Sequence, residues 1–258
     1  MDERRMHAYL CSLEPEAEPL LTALRAQAEE DGVPILRVET EAFLRTLVAA
    51  KQPERILEIG TAIGYSALCM ARACAAQITT IESYEKRIPL AQETFQKGGI
   101  TNRVKLIHGD AGVVLRELSG SFDFVFLDAA KGQYLRWLPD ILRLMAPGAL
   151  LVSDNVLQEG TVLESRFTVE RRERTTHSRM REFLYEIKHH PLLESAVLPL
   201  GDGVSLSVKR DGAADKEMAK TKAKAEGAAA DSATIEAEKT AANRVIVRAE
   251  EKAGEANA

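Results

Sequence analysis

Acidic side chains stand at the ends of successive apolar runs in this 258-residue chain. Glu82 ends I-T-T-I-E, and Asp110 follows the next run, in H-G-D-A. Asp128 ends F-V-F-L-D, while Asp154 and Asn155 end L-V-S-D-N. If these runs are strands of one parallel sheet, the residues share the edge at which such sheets bind ligands. Two carboxylates and an amide oxygen suit Mg²⁺, so the sequence predicts a magnesium site at Asp128, Asp154 and Asn155.

Lys131 lies three residues after Asp128, in D-A-A-K, and can reach a metal-bound substrate from the same turn. It acts as a general base if burial or the nearby cation lowers its pKa, and otherwise it balances the charge of Asp128. A solvated surface lysine is the third interpretation. All three stay open, and Lys131 and Asp128 are the candidate catalytic residues.

A glycine-rich turn over residues 60–64 separates an apolar run from a helical pattern. Gly60 tolerates backbone angles that other residues avoid, Gly64 lets a ligand approach the backbone, and the helix N-terminus offers free N–H groups. Glu82 lies 22 residues after Gly60, near the spacing of about 20 at which an acidic residue binds a ribose. G-x-x-x-G replaces the dinucleotide fingerprint, which disfavours NAD. We predict a nucleotide-like ligand, with a ligand-free tight turn as the alternative.

Elements that position these residues follow from the hydrophobic pattern. Strand and helix patterns alternate, which predicts an α/β fold with a doubly wound parallel sheet. Two late runs around G-D-G predict an antiparallel terminal hairpin. Residues 1–50 form an N-terminal helical segment, in which Thr40 is the expected N-cap of the second helix. Strands are predicted over 55–59, 77–81, 104–108, 122–127, 149–153, 195–200 and 204–209, and helices over 65–75, 86–96, 112–118, 134–145 and 171–189.

Composition divides the chain again at Asp211, after a predicted catalytic domain over residues 51–210. Residues 211–258 contain 16 alanines, 10 acidic and 8 basic residues, no proline, and one apolar cluster at 245–247. Such a segment cannot bury a core. We therefore expect a mobile, partly helical tail.

Charge and cysteine content exclude several classes of protein. The net charge of −5 gives no global basic footprint for nucleic acid, so an RNA-binding surface must be local. Three cysteines form no C-x-x-C pair, and no apolar run approaches the length of a membrane span. The N-terminus shows no secretory pattern. We expect a soluble, cytoplasmic protein with no membrane partner.

One dense basic stretch lies between residues 166 and 181. Its arginines are candidates for contacts with RNA phosphates. Four glutamates between 164 and 182 interrupt it, so a solvated helix with internal salt bridges is the alternative. The arginines are Arg166, Arg171, Arg172, Arg174, Arg179 and Arg181.

The motifs E-I-G-T-A-I-G-Y-S, G-D-A, F-L-D-A-A-K-G-Q-Y, S-D-N-V-L and G-D-G cover about residues 30–210. Together they resemble the class I, metal-dependent O-methyltransferases of the catechol and caffeoyl-CoA type, which use S-adenosyl-L-methionine (AdoMet). Within that group, D-A-A-K-G-Q-Y, D-N-V-L and P-L-G-D-G are most similar to bacterial tRNA 5-hydroxyuridine methyltransferases. The resemblance implies a seven-stranded, Rossmann-like methyltransferase fold, AdoMet as donor, a divalent metal and a homodimer.

Roles for individual residues follow from the matched positions. The resemblance implies that Glu82 binds the ribose hydroxyls of AdoMet and that Asp110 lies beside its adenine. It also implies that Asp128, Asp154 and Asn155 hold Mg²⁺. The other implied cofactor-binding residues are Leu36, Glu58, Gly60, Gly64, Ser66 and Ala111, together with Asp128.

The resemblance leads to three hypotheses of function. The first is methylation of the 5-hydroxyl of 5-hydroxyuridine at the tRNA wobble position, which gives 5-methoxyuridine. The second is O-methylation of small catechols or hydroxycinnamoyl-CoA. The third, from a different class, is a non-catalytic AdoMet-binding interaction protein.

Deletion of residues 211–258 tests the predicted tail. Because the segment lacks an apolar stripe, we expect the shortened chain to keep the thermal midpoint of the full chain within about 5 °C. Differential scanning calorimetry on both chains measures this. A larger fall would show that the segment packs against the rest of the protein.

Overall fold

The computed structural model describes residues 3–211, so the tail predicted over 211–258 lies, except for Asp211, outside the described residues. Eight α-helices and seven strands are present in this part of the chain. The helices are α1 (Glu3–Leu13), α2 (Pro19–Glu30), α3 (Val38–Lys51), α4 (Tyr65–Ala73), α5 (Ile88–Lys97), α6 (Ala111–Glu117), α7 (Tyr134–Leu144) and α8 (Arg174–His189). The strands are β1 (Arg55–Ile59), β2 (Gln77–Glu82), β3 (Val104–His108), β4 (Phe122–Leu127), β5 (Met145–Ser153), β6 (Leu193–Leu198) and β7 (Val204–Lys209).

The strands form one sheet in the order β3-β2-β1-β4-β5-β7-β6. β1 to β5 pair in parallel, and β7 runs antiparallel to both of its neighbours, β5 and β6. The reversal of strand order next to β1 is the topological switch point beside which doubly wound sheets bind ligands. The predicted fold, including its antiparallel terminal hairpin, is confirmed.

Alternate side chains of β1 enter two separate cores. Ile56 packs with α2 to α5 on one face of the sheet, and Leu57 packs with α7 and α8 on the other. Both are fully buried, as the strand is covered on both faces. This explains why the central strands have continuous apolar sequences instead of alternating ones.

Several predicted boundaries were wrong. The N-terminal segment contains three helices instead of two, because residues 14–18 separate α1 from α2 ahead of α3. α2 begins at Pro19, where proline fits a first turn. Thr40 is not an N-cap. Glu41 already donates its backbone N–H to Arg37, so the hydrogen bonding of α3 starts at Arg37 and Thr40 lies buried inside the helix.

The remaining shifts are at element ends. α5 begins at Ile88 because a short 3-10 turn, Glu85–Arg87, precedes it, and α8 begins at Arg174 instead of 171. β5 begins at Met145, directly after α7. Within residues 3–211, no helix combines the length and the apolar character needed to cross a bilayer.

Register brings the strand ends to one edge. Ile59 at the end of β1 pairs with Ile81 and with Leu127, and Leu127 pairs with Ser153. The next residues along each chain segment therefore lie level with one another. Gly60 has φ +106°, and a Cβ atom there would lie 1.9 Å from the carbonyl oxygen of Asp128. The glycine turn and the end of β4 are thus in direct backbone contact.

Gly60→Ala tests this contact. Because the new methyl group meets backbone and the φ angle is unfavourable for alanine, we expect a loss of about 3 kcal/mol or more in the free energy of unfolding, measured by urea denaturation. Gly148→Ala is the control: Gly148 also has a positive φ, +73°, but nothing lies within 4 Å of its added Cβ. Equal losses in both variants would show that the contact with Asp128 is unimportant.

Candidate active site

A cavity of about 720 Å³ opens at the carboxyl edge of the sheet. The glycine turn, the ends of β2 and β4 and the segment before α3 all contribute to its wall. Most of the residues singled out in the sequence line it. These are Leu36, Gly60, Ser66, Glu82, Asp110, Ala111, Asp128, Lys131 and Asn155.

Two predicted cofactor-binding residues support the pocket from behind instead of lining it. Glu58 is fully buried and accepts hydrogen bonds from the hydroxyls of Ser66 and Thr80, each at 2.5 Å. Burial raises the pKa of Glu58 to about 7. Gly64, the N-cap of α4 with φ +84°, needs to be glycine because a Cβ would lie 2.7 Å from the ring of Phe95. Its conformation serves helix packing, and close ligand approach at Gly64 remains a prediction.

Glu82 is held by two backbone amides. Its Oε2 accepts from Ala62 N and its Oε1 from Tyr84 N, both at 2.8 Å. The carboxylate therefore clamps the glycine turn to the end of β2. Each oxygen still has acceptor capacity for a further donor, such as a ribose hydroxyl. The ribose-binding role remains a prediction.

Asp110 caps α6, because its Oδ1 accepts from Val113 N at 3.1 Å. Its other carboxylate oxygen has no partner among the described residues. Ala111 is the first residue of α6, and Trp137 of α7 lies close by in the same wall. This end of the pocket presents a flat indole beside a carboxylate, which suits a nucleobase.

The three predicted metal ligands converge where β4 and β5 end. Asp154 is buried behind the pocket wall, and its Oδ1 accepts from Asn155 N at 2.8 Å. Burial, followed by the charge of Asp128, raises the pKa of Asp154 to about 7. Asn155 has φ +54° and donates its amide to Asp202 at 3.3 Å, which leaves its side-chain oxygen without a partner among the described residues.

This set of donors fits Mg²⁺. Among residues 3–211, no three His, Cys, Asp or Glu side chains form a metal-binding group. Mg²⁺ is usually held by one or two carboxylates and keeps the rest of its positions for water and substrate. Two carboxylates close enough to raise a pKa, with an open amide oxygen beside them, provide such an incomplete shell.

Asp202, which the sequence indicated only as part of a hairpin turn, holds the loop after the metal ligands. Its carboxylate accepts from the side chain of Asn155 and from the backbone N–H of Glu159. Val156 N donates to Gly203 O at 2.9 Å, and a Cβ at Gly203 would collide with Leu157. The G-D-G motif was visible in the sequence, but turn chemistry alone does not indicate that it lies against this loop.

The amine of Lys131 is hydrogen-bonded to neighbouring side chains rather than solvated. Its Nζ lies 2.5 Å from Asp128 Oδ1 and 3.1 Å from the Tyr134 hydroxyl. Burial alone would lower its pKa, but the neighbouring Tyr134 and Asp128 outweigh burial and raise the pKa above its ordinary value. In this arrangement Lys131 is an ammonium group. The geometry favours the charge-balancing interpretation over that of a free base.

Tyr134 is a site residue to which the sequence analysis assigned no role. Its fully buried hydroxyl lies 3.0 Å from Leu127 O and 3.3 Å from Asp154 O, and it accepts from Ala129 N at 3.2 Å. It therefore joins the ends of β4 and β5 to the amine of Lys131. The tyrosine belongs to D-A-A-K-G-Q-Y, but nothing in that motif indicates which backbone groups it reaches.

The basic stretch before and within α8 mainly serves the fold. Arg179 donates to Gly132 O at 3.2 Å and so braces the turn that carries Lys131, while Arg174 and Arg181 bind carbonyl oxygens of the preceding loop. Arg172 pairs with Glu170 and Glu173. These contacts favour the internally bonded helix over the phosphate-binding surface. Arg166 and Arg171 have no side-chain partner among the described residues.

A cluster between α2, α3 and α4 fixes the wall of the pocket near Leu36. Arg25 donates to Leu36 O at 3.0 Å, and to the Glu41 carboxylate and the Tyr65 hydroxyl at 2.9 Å each. The Tyr65 hydroxyl also donates to Glu41 at 2.5 Å. Leu36 and Tyr65 both line the cavity. The N-terminal helices therefore help to shape the pocket.

Comparison with protein families gives a match to the family described as O-methyltransferase over residues 11–210. A catechol O-methyltransferase of Niastella koreensis is 37% identical over 161 residues, which cover 59% of this chain and 72% of that protein.

Solved structures agree with this match. A putative caffeoyl-CoA O-methyltransferase from Staphylococcus aureus superposes with a TM-score of 0.74 at 29% identity, over 79% of this chain and 98% of the other. An SAH-bound Podospora anserina methyltransferase has the same TM-score, 0.74, at 27% identity, over 81% of this chain and 95% of the other.

Tyr134→Phe tests the role of the buried hydroxyl. The phenylalanine keeps the edge-to-face contact with Phe183, at 5.4 Å between ring centroids, and loses only the hydrogen bonds. We expect the free energy of unfolding to fall by about 1–3 kcal/mol and turnover to fall about tenfold or more, because Lys131 loses one of its two partners. Urea denaturation and steady-state kinetics measure the two effects. Tyr185→Phe, at an exposed tyrosine of α8, is the control and should change neither. Normal turnover in Tyr134→Phe would contradict the role.

Proposed function

The chain belongs to the AdoMet-dependent O-methyltransferase family, and on this premise we propose that it methylates a hydroxyl group that has a second oxygen beside it, with Mg²⁺ as cofactor. The observation that carries this proposal is the convergence of Asp128, Asp154 and Asn155 beside the amine of Lys131. Membership in an enzyme family also disfavours the hypothesis of a non-catalytic AdoMet-binding protein.

Each group at the edge of the sheet has a part in this reaction. Asp128, Asp154 and Asn155 would hold the metal. A bound divalent cation would lower the pKa of the acceptor hydroxyl and fix its neighbouring oxygen. The ammonium group of Lys131, anchored by Asp128 and Tyr134, would donate a hydrogen bond to the deprotonated oxygen.

The opposite end of the pocket would hold the methyl donor. Glu82, fixed by two backbone amides, would accept hydrogen bonds from the ribose hydroxyls, and Asp110 and Trp137 would flank the adenine. Orientation of donor and acceptor in one cavity can contribute several kcal/mol to catalysis. The SAH-bound Podospora anserina structure supports an adenosyl ligand for this fold.

We propose 5-hydroxyuridine at the tRNA wobble position as the acceptor, with 5-methoxyuridine as the product. Its 5-hydroxyl lies beside the O4 carbonyl, so the pair satisfies the requirement for two neighbouring oxygens. The likeness of D-A-A-K-G-Q-Y, D-N-V-L and P-L-G-D-G to tRNA 5-hydroxyuridine methyltransferases supports this choice. A tRNA substrate would also place the protein in the cytoplasm.

A small catechol is the second candidate acceptor, because it presents two vicinal oxygens in the same way. The name of the Niastella koreensis relative favours it, and that of the Staphylococcus aureus structure favours a hydroxycinnamoyl-CoA. Either acceptor uses the same metal and donor. The family resemblance further leads us to propose a homodimer, which analytical ultracentrifugation can test.

Isotope-labelled AdoMet distinguishes the acceptors. The full chain is incubated with Mg²⁺ and, separately, with tRNA that contains 5-hydroxyuridine, with catechol and with caffeoyl-CoA. We expect label in tRNA, recovered as 5-methoxyuridine by mass spectrometry of the digested nucleosides. Label in catechol or caffeoyl-CoA, with none in tRNA, would assign the second candidate.

Asp154→Ala tests the metal. Because the variant lacks one of two anionic ligands but keeps Gly60 and Glu82, methyl transfer should fall about 100-fold or more while AdoMet affinity stays within about threefold. Kinetics and calorimetry, run in parallel, measure the two quantities. EDTA should reproduce the loss in the wild type, and Asp154→Asn, which keeps the shape without the charge, should resemble Asp154→Ala. Full turnover in EDTA would refute the metal mechanism.

A further inference from the structure

Asn155 differs from the other two proposed metal ligands in the chemistry of its side chain. The carboxylates of Asp128 and Asp154 have an oxygen at either end, so a rotation of the group by half a turn still leaves an oxygen facing the metal. The amide of Asn155 has one oxygen and one NH₂ group. The same rotation would direct two N–H donors at the cation, which repels them. Asn155 can therefore hold a metal only if another group fixes which end of its amide faces the site.

The carboxylate of Asp202 selects this end. Asn155 donates its side-chain NH₂ to Asp202 Oδ2 at 3.3 Å. A carboxylate offers only acceptors, so the amide can form this hydrogen bond only through its nitrogen. The Oδ1 atom of Asn155 is consequently turned away from Asp202, and no other side chain within residues 3–211 forms a hydrogen bond with this amide. Asn155 lines the cavity together with Asp128 and Lys131.

The loop that follows β5 has an unusual backbone. Asn155, Gln158 and Glu159 have φ angles of +54°, +50° and +51°. Asparagine tolerates this left-handed region, but glutamine and glutamate adopt it rarely, and such a conformation persists only where neighbouring contacts impose it. Here the backbone N–H of Glu159 donates to Asp202 Oδ1, the second oxygen of the same carboxylate. One side chain thus holds both the strained loop and the amide.

Two crowded glycines fix the position of Asp202. A Cβ atom at Gly201 would lie 2.5 Å from Thr40 Oγ1, and one at Gly203 would lie 2.3 Å from Leu157 Cγ. Leu157 N also donates to Asp202 O at 3.0 Å. The turn between β6 and β7 therefore lies in close contact with α3 on one side and with the loop after β5 on the other.

Turn formation does not account for the carboxylate. The glycines on both sides supply the backbone freedom, and asparagine suits such a turn as well as aspartate does. The negative charge is unfavourable here, because burial, then the charge of Asp128 and, more weakly, that of Asp202 raise the pKa of Asp154. What aspartate offers and asparagine lacks is a side chain that can only accept hydrogen bonds.

We propose that Asp202 is a positioning residue for the metal site: it holds the amide of Asn155 with its oxygen toward the cation. The inference rests on the metal site of the proposed function and deepens it. Groups that orient a metal ligand in this way typically change metal affinity about 10- to 100-fold when they are removed.

Asp202→Asn tests the orientation. The new amide keeps the shape of the side chain and an oxygen for Glu159 N, but it presents an NH₂ group to Asn155. The amide of Asn155 would then rotate and turn its own NH₂ toward the metal. We expect the affinity of the full chain for Mn²⁺, which prefers the same oxygen ligands as Mg²⁺, to fall about tenfold or more. Electron paramagnetic resonance of free Mn²⁺ measures this affinity without turnover.

Asn155→Asp provides a second background for the same substitution. Aspartate also tolerates a positive φ and has an oxygen at both ends, so its orientation needs no selection. In this background one carboxylate oxygen accepts from the new amide at position 202, and the other still faces the metal. Adding Asp202→Asn to Asn155→Asp should therefore leave Mn²⁺ affinity within about threefold.

Glu159→Gln is the matched control. It makes the same change from carboxylate to amide in the same loop, at a side chain that is 79% exposed and pairs with Arg37. The hydrogen bond from its backbone N–H to Asp202 is kept. We expect Mn²⁺ affinity within about twofold of the wild type. Thermal melts show whether each variant folds, and comparison within each background removes any effect on folding that the two backgrounds share.

Equal losses from Asp202→Asn in the two backgrounds would overturn the inference, because a change in net charge or a general loosening of the loop acts on both. Unchanged Mn²⁺ affinity in Asp202→Asn alone would also overturn it. Failure of the proposed metal site gives a different result, which is no saturable Mn²⁺ binding in the wild type, and that would refute both. Binding that depends on residue 155 as expected, without methyl transfer to 5-hydroxyuridine or catechol, would support the positioning role and refute the acceptors.

Discussion

The parallel hydrogen-bond ladder continues one residue beyond the strands, and this continuation builds the site. Asp128 N donates to Ile59 O, and Asp154 N donates to Leu127 O, each at 3.0 Å. Gly60 N donates to Ile81 O in the same way. The backbone of each functional residue is therefore fixed by the neighbouring strand, and the close approach of Gly60 to Asp128 depends on this register. Because the backbone just after each strand is already fixed, few additional contacts are needed to bring the side chains together.

Charge is the main cost of this convergence. Glu58, Asp128 and Asp154 bring three carboxyl groups into a poorly solvated region, and burial raises the pKa of Glu58 and of Asp154. Two hydroxyl donors partly compensate Glu58, and the amine of Lys131 compensates Asp128. The compensation is incomplete at Asp154. A site with an excess of negative charge attracts cations, which agrees with the proposed role of Mg²⁺.

The sequence was sufficient to predict the sheet and the residues at its edge, because apolar runs identify buried strands and parallel strands align their carboxyl ends. It was insufficient wherever a role depends on contact between distant segments. Asp202 reaches Asn155 across 47 positions, and Arg25 reaches Tyr65 across 40. Local pattern also gives no sign of the packing role of Gly64, whose missing side chain makes room for Phe95, a residue 31 positions later. Propensity rules describe neighbours in the chain and contain no information on such pairs.

The contacts of Arg25 affect where the catalytic unit can be divided. The sequence suggests a boundary near residue 50, but Leu24 of α2 and Leu44 of α3 pack in the same core as Ile56 of β1. Arg25 also binds Leu36 O and Tyr65 at the pocket wall. Modular exchange of this fold between relatives would therefore have to transfer α2 together with the sheet. A chimaera joined at residue 50 would combine an N-terminal wall and a glycine turn that had not been selected together.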